Sequence, residues 1–268
     1  MKTLSRIALA ALFATALPAW SYADWWDTVN TVTKEMEKSQ AQDQKKTEAS
    51  KSAAAPAKKS QDTGGLTQKE LDGGVKDGLN QAVKTAIALL GKKDGFLGDA
   101  TVKIPMPGKL ADAEKILRAT GQGALVDQFI ESMNRAAEKA VPETAKVFGK
   151  AISSMTLEDA LGIIKGPEDA LTRYFEKTSR EALSAKIAPI VAQATSSVKV
   201  TTYYKAMMSQ AARSLPFLTA VAPDLDSYVT GKAMDGLFVV MAREEKNFRQ
   251  NPAARATDLL KKVFALIK

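Results

Sequence analysis

From Leu66 onward, apolar residues recur at spacings of three and four, the repeat of one buried face on successive helices. Thr67 with Glu70 three residues on forms a capping box, and Leu66 and Leu71 stand at the two positions of a hydrophobic staple, so a helix starts there. Its face carries Leu71, Val75, Leu79, Val83, Ile87 and Leu90, and Gly91 is its stop. Gly73, Gly74 and Gly78 lower its intrinsic propensity, which predicts another helix packed closely against them.

The pattern breaks at Lys92–Gly108. DGFLGD is turn-rich, and Pro105 and Pro107, one residue apart, favour extended chain. Asp94 and Asp99 lack the spacing of a calcium-binding helix–loop–helix, so turn chemistry and a buried Phe96-Leu97 plug are the expectation. Helical signals then resume. Leu110, Ala113, Ile116 and Leu117 mark a second helix, and Leu125, Phe129, Ile130, Met133 and Ala137 a third. A fourth runs from Pro142 through Val147, Phe148 and Ile152. Thr156 with Asp159 opens the short helix TLEDALGIIK, Pro167 starts the next, and Thr178 with Glu181 is expected to cap another, kinked or divided at Pro189. Helices around Tyr203–Met207 and Leu225–Phe248 follow, and Asn251-Pro252 is read as the start of the last, with Leu259, Leu260, Val263, Phe264 and Ile267 inward. The result is an all-α, single globular domain over 66–268, of roughly nine helices and without strand signal.

Upstream the text changes character. Residues 38–65 contain no aromatic residue and no Val, Ile, Leu or Met, so they have too little apolar surface to offset chain entropy and are expected to form a disordered linker. In 24–37, Trp25, Val29, Val32 and Met36 share one helical face with Trp26 beside them. That segment is a candidate membrane or partner contact, or a helix folded back on its own domain; the sequence leaves both open. Residues 1–23 have the form of a secretory signal: Lys2 and Arg6, an apolar stretch from Ile7 to Leu17, and Ser21-Tyr22-Ala23 before the expected cleavage at Asp24. The expectation is a periplasmic or secreted, soluble protein that is not transmembrane.

Composition then narrows the chemistry. The chain has no Cys and no His, which removes disulfides, thiolate nucleophiles, imidazole acid–base groups and the usual zinc, copper and haem ligands. A metal site would need oxygen ligands alone, and no motif specifies a metal or a cofactor. The formal charge of +8 falls to +6 once Lys2 and Arg6 leave, with the basic residues scattered. Colloidal solubility is the simpler account of that excess; as a partner signal it points to an anionic envelope surface or an envelope partner, with peripheral membrane contact, over nucleic acid.

Five segments, DGFLGD with IPMP, LVDQFIESMNRAAEKAVPE, MTLEDALGIIKGPEDALTRYF, DSYVTGKAMDGLF and EEKNFRQNPAARATDLLKKVF, resemble the secreted bacterial family catalogued as domain of unknown function 4197. The resemblance spans Leu66–Phe264 and implies an exported helical domain. It carries over no activity, ligand or catalytic residue.

With His and Cys absent, acid–base work falls to carboxylates. Glu158, Asp159, Glu168 and Asp169 bracket the Gly166-Pro167 turn, with Arg173 and Tyr174 a turn further on. Paired carboxylates at a helix junction could serve a glycan-cleaving enzyme. Acidic residues in first helical turns, stabilising the macrodipole, are the stronger explanation. Glu245 and Arg249 stand at i and i+4, which reads as an ion pair on a solvated helix face. Tyr203-Tyr204 and Met207-Met208 put one member of each pair inward and one partly outward, a surface that could line an apolar ligand pocket. The functional expectation is an exported, non-enzymatic binding or interaction module of the bacterial cell envelope. The alternatives are a carboxylate-dependent glycan-cleaving enzyme and a carrier of an apolar small molecule.

Overall fold

The computed structural model describes residues 63–156, 160–214 and 223–266. The leader, the segment bearing Trp25, Trp26, Val29, Val32 and Met36, and nearly all of the linker lie outside the described residues, as do Glu158 and Asp159. Nine α-helices and three 3-10 turns make up the described part, and no strand occurs in it.

The first helix, α1 (Gln68–Leu90), begins at the expected capping box: the Glu70 amide donates to Thr67 Oγ1 (3.2 Å) and the Thr67 amide to Glu70 Oε2 (2.9 Å). All six positions of its predicted apolar face are buried. A short 3-10 turn leads into α2 (Ala111–Ala119), then α3 (Gly123–Ala140), and a second turn, Val141–Thr144, into α4 (Ala145–Ser154). The short α5 (Ala160–Lys165) precedes the long α6 (Ala170–Ser197) and α7 (Val200–Ser214). The second long helix, α8 (Leu225–Gln250), is followed by a turn at Pro252–Ala254 and by α9 (Asp258–Phe264).

α8 lies against α1 and α6 and reaches α3. Phe148, Phe175 and Phe238, from α4, α6 and α8, form a cluster with ring centroids 6.1–6.3 Å apart, all three buried. Each side chain buried this way contributes about 1.5–3 kcal/mol relative to exposure. Against α1 lies α9. A Cβ on Gly74 would sit 2.5 Å from Val263, and one on Gly73 would sit 2.8 Å from Leu259, so the glycines let two helix backbones approach.

Three expectations about helix limits need correction. α6 runs unbroken from Ala170 to Ser197 through Thr178 and Pro189. Thr178 caps nothing: its hydroxyl donates back to the Tyr174 carbonyl (2.9 Å), the bond of a threonine inside a helix. Asn251 caps only the 3-10 turn, through the Ala253 amide (3.1 Å), while α9 takes its cap from Thr257, which accepts from the Leu260 amide (3.0 Å). The break between them has a cause in Arg255. Its buried guanidinium donates to the Phe248 and Arg249 carbonyls at the end of α8 and pins the chain there.

Segment 92–107 is held by side chains of α3 and α8. Asn134, fully buried, accepts from the Ile104 amide (2.8 Å) and donates to the Ile104 carbonyl (2.9 Å). One turn on, Glu138 accepts from the amides of Phe96 (3.1 Å) and Leu97 (3.2 Å) and pairs with Arg135 (2.7 Å). Phe96 is the plug, seated where Gly236 of α8 has no side chain, whereas Leu97 is only half-buried. Asp94 takes a left-handed turn (φ 63°) and pairs with Arg135; Asp99 pairs with Arg243 and accepts from Thr101. Both carboxylates are thus engaged by protein groups.

Candidate functional site

The junction between α5 and α6, where the acidic candidates stand, is held from beneath by two residues of α8. Glu245 Oε1 accepts from the Leu171 amide (2.9 Å) and from Arg249 Nε (2.8 Å). Its Oε2 accepts from the amide (2.8 Å) and hydroxyl (2.7 Å) of Thr172. Glu245 is therefore the cap of α6, supplied from another helix. Arg249 does the opposite at α5: Nη1 donates to the Ile164 carbonyl (2.7 Å) and Nη2 to the Ile163 carbonyl (3.1 Å), while the guanidinium lies over the Phe264 ring. The Glu245 carboxylate is inaccessible to solvent and the Arg249 side chain nearly so, which corrects the reading of this pair as a solvated face. Burial pushes the Glu245 carboxyl above its ordinary pKa, against the pull of its donors and of Arg249. The signal was present in the sequence: Glu245 continues the stripe Met234, Leu237, Met241, Phe248 in phase.

Outside this clamp, Glu168 and Asp169 face solvent-side partners. Glu168 pairs with Lys246 (2.7 Å) and accepts from Gln250; these donors hold its carboxyl below the ordinary range. Asp169 pairs with Arg173 (2.7 Å). Glu168 precedes the first turn of α6 and Asp169 occupies its cap position, so neither lies inside the first turn. The structure does not bring these two together with an opposing carboxylate across a cleft among the described residues. A general acid needs a raised pKa, and the donors around Glu168 act in the other direction.

Of the tyrosine and methionine pairs, Tyr203 is exposed and Tyr204 buried as expected, but both Met207 and Met208 are buried, as core packing requires. Two open depressions among the described residues bear on the site. One, of about 300 Å³, is lined by Gln128, Glu131, Ser132, Arg135, Val198 and Tyr203. Its charges are spent, since Arg135 pairs with Glu131, Glu138 and Asp94.

The other, of about 340 Å³, is a solvent-open groove between α4 and α6. Val147, Ala151, Met155 and Leu183 supply its apolar part; Ser154, Thr156, Tyr174, Thr178 and Ser179 supply hydroxyls. Among the described residues Lys186 is the single charged one in the lining, and it forms no ion pair with another of them. Tyr174, Thr178, Ala182 and Lys186 follow at intervals of four, so one edge of the groove is a straight stripe of α6. Tyr174 was named beside the acidic junction and Thr156 and Thr178 as caps, but the groove that they share was not read from the sequence. Its residues are too small and too ordinary to mark a site, and only the packing of α4 on α6 assembles them.

A protein-family model described as "Protein of unknown function (DUF4197)" matches residues 65–265. No curated protein and no solved structure matches the chain.

Proposed function

The chain belongs to this DUF4197 family of proteins of unknown function, and from that premise we propose that it is an exported binding module of the bacterial cell envelope whose contact site is the α4–α6 groove. The observation that carries this reading is the contrast between the two places where chemistry could occur. At the acidic junction the described carboxylates are committed to holding helices, whereas the groove offers accessible hydroxyls and an ammonium group with no ion-pair partner among the described residues. The leader over 1–23, with cleavage before Asp24, supports export; the segment 24–37 and the linker 38–65 then precede the helical domain as a tether. No helix among the described residues is long and apolar enough to cross a membrane.

The test is co-sedimentation of the secreted or periplasmic protein, its N-terminus fixed by intact mass, with envelope material. Ala182 is an exposed groove residue, so Ala182→Trp should fill the groove without unfolding the domain. The expected result is a mature chain beginning at Asp24 that sediments with envelope, and a folded Ala182→Trp variant that does not. Equal sedimentation of both proteins refutes the groove as the contact site.

A further inference from the structure

We propose that the α4–α6 groove binds an extended, hydroxyl-rich, anionic oligosaccharide, with a carboxylate of the sugar held by Lys186. The proposal rests on the reading of the groove as the contact site and names its ligand class.

Hydrogen-bonding capacity along the groove selects the class. The Thr178 hydroxyl spends its proton on the Tyr174 carbonyl (2.9 Å), and the Ser154 hydroxyl spends its own on the Lys150 carbonyl (2.9 Å). Both oxygens therefore meet a ligand as acceptors. The Thr156 and Ser179 hydroxyls are free of such bonds among the described residues and can donate. Tyr174 gives a weak bond to the Thr156 carbonyl (3.4 Å) and presents a half-buried ring. A ligand matching this lining must donate and accept several neutral hydrogen bonds over an apolar floor, as a polyhydroxylated ring does. An acyl chain would offer these hydroxyls neither a donor nor an acceptor.

Charge selects the sign. Among the described residues the lining holds one charged group, the Lys186 ammonium, and no carboxylate. A single cation suits a ligand with sparse negative charge and falls short of the several phosphate contacts that nucleic acid binding uses. Between Tyr174 and Lys186 the helix rises about 18 Å, so the ring and the charge address different units of one extended chain.

Trigalacturonate is the probe, titrated into the full mature protein by calorimetry and amide-shift NMR. Triacetylchitotriose, neutral and of equal length, and laurate, anionic without hydroxyls, are the comparators. The expected result is saturable trigalacturonate binding with shifts confined to α4 and α6, weakened about tenfold by Lys186→Met and by replacing the ligand with the uncharged triacetylchitotriose, and abolished by Ala182→Trp. Lys186 is exposed, so Lys186→Met leaves the fold as its control if Ala182→Trp destabilises it. Trigalacturonate binding unchanged in both variants, no binding, or tighter binding of laurate overturns the proposal. If trigalacturonate fails while Ala182→Trp still lowers envelope sedimentation, the ligand class is wrong and the groove reading survives. If sedimentation is also unchanged, both fall.

Discussion

Glu245 and Arg249 each satisfy backbone groups of a helix other than their own, and removing either leaves its partner and those backbone groups buried together. Glu245→Met or Arg249→Met alone should cost about 3–5 kcal/mol, while the double change to methionine should cost clearly less than the sum. Urea unfolding of the four proteins in the cycle measures this; additive losses would show that the two side chains act separately. Asp99 offers a test in pH. Bonds from the side chain and amide of Thr101 and from Arg243 lower its pKa to about 2, from 3.8. A depressed carboxyl stabilises the fold fully above its unfolded pKa, and that contribution disappears as pH falls through the folded value. Wild type should therefore exceed Asp99→Asn in urea midpoint at pH 5, and the gap should close between pH 4 and 2. The sequence concealed the role of Glu245 because a charged side chain reads as solvent-facing unless its phase is weighed against its neighbours. Glu245 lies in phase with Met241 and Phe248, and Asn134 and Glu138 with Ile130 and Val141. Periodicity marked the position, and residue type argued against it.

Whole helices were more legible than their ends. The capping box of α1, its six buried positions and its glycine face all follow from the text, because period and cap chemistry agree there. The failures lie where a long-range contact overrides a local signal. Arg255 stops α8 and delays α9 past Asn251, and Thr178, with cap chemistry, simply sits within α6. Packing also gives glycines of one helix opposite values. In α8 an added Cβ at Gly231 would meet nothing within 4 Å, but at Gly236 it would lie 2.5 Å from the Phe96 ring. Gly231→Ala should stabilise by about 1 kcal/mol through helix propensity. Gly236→Ala should destabilise by about 1–3 kcal/mol because Phe96 must give way. Thermal midpoints moving in the same direction for both would contradict the seating of Phe96 on α8.

At the scale of the molecule, the first and last helices close on each other. Thr257 donates to Asp77 (2.7 Å), Lys262 pairs with Glu70, and Leu260, Val263 and Phe264 are fully buried. Ending the chain after Thr257 would remove those three side chains, each worth about 1.5–3 kcal/mol, from a domain whose whole margin is of order 5–15 kcal/mol. Such a chain should lose its cooperative thermal transition, and a retained sharp transition in calorimetry would show α9 to be an accessory. The same closure governs timing. Seven residues near the end complete a contact with helix α1, 180 residues earlier at Thr257 and Asp77, and the α5–α6 junction waits for partners more than 70 residues downstream. Until Glu245, Arg249 and Thr257 are in place, neither contact has its second half. Both contacts therefore form late in folding, because distant parts of the chain must be brought together before either contact rewards the entropy of closing so long a loop.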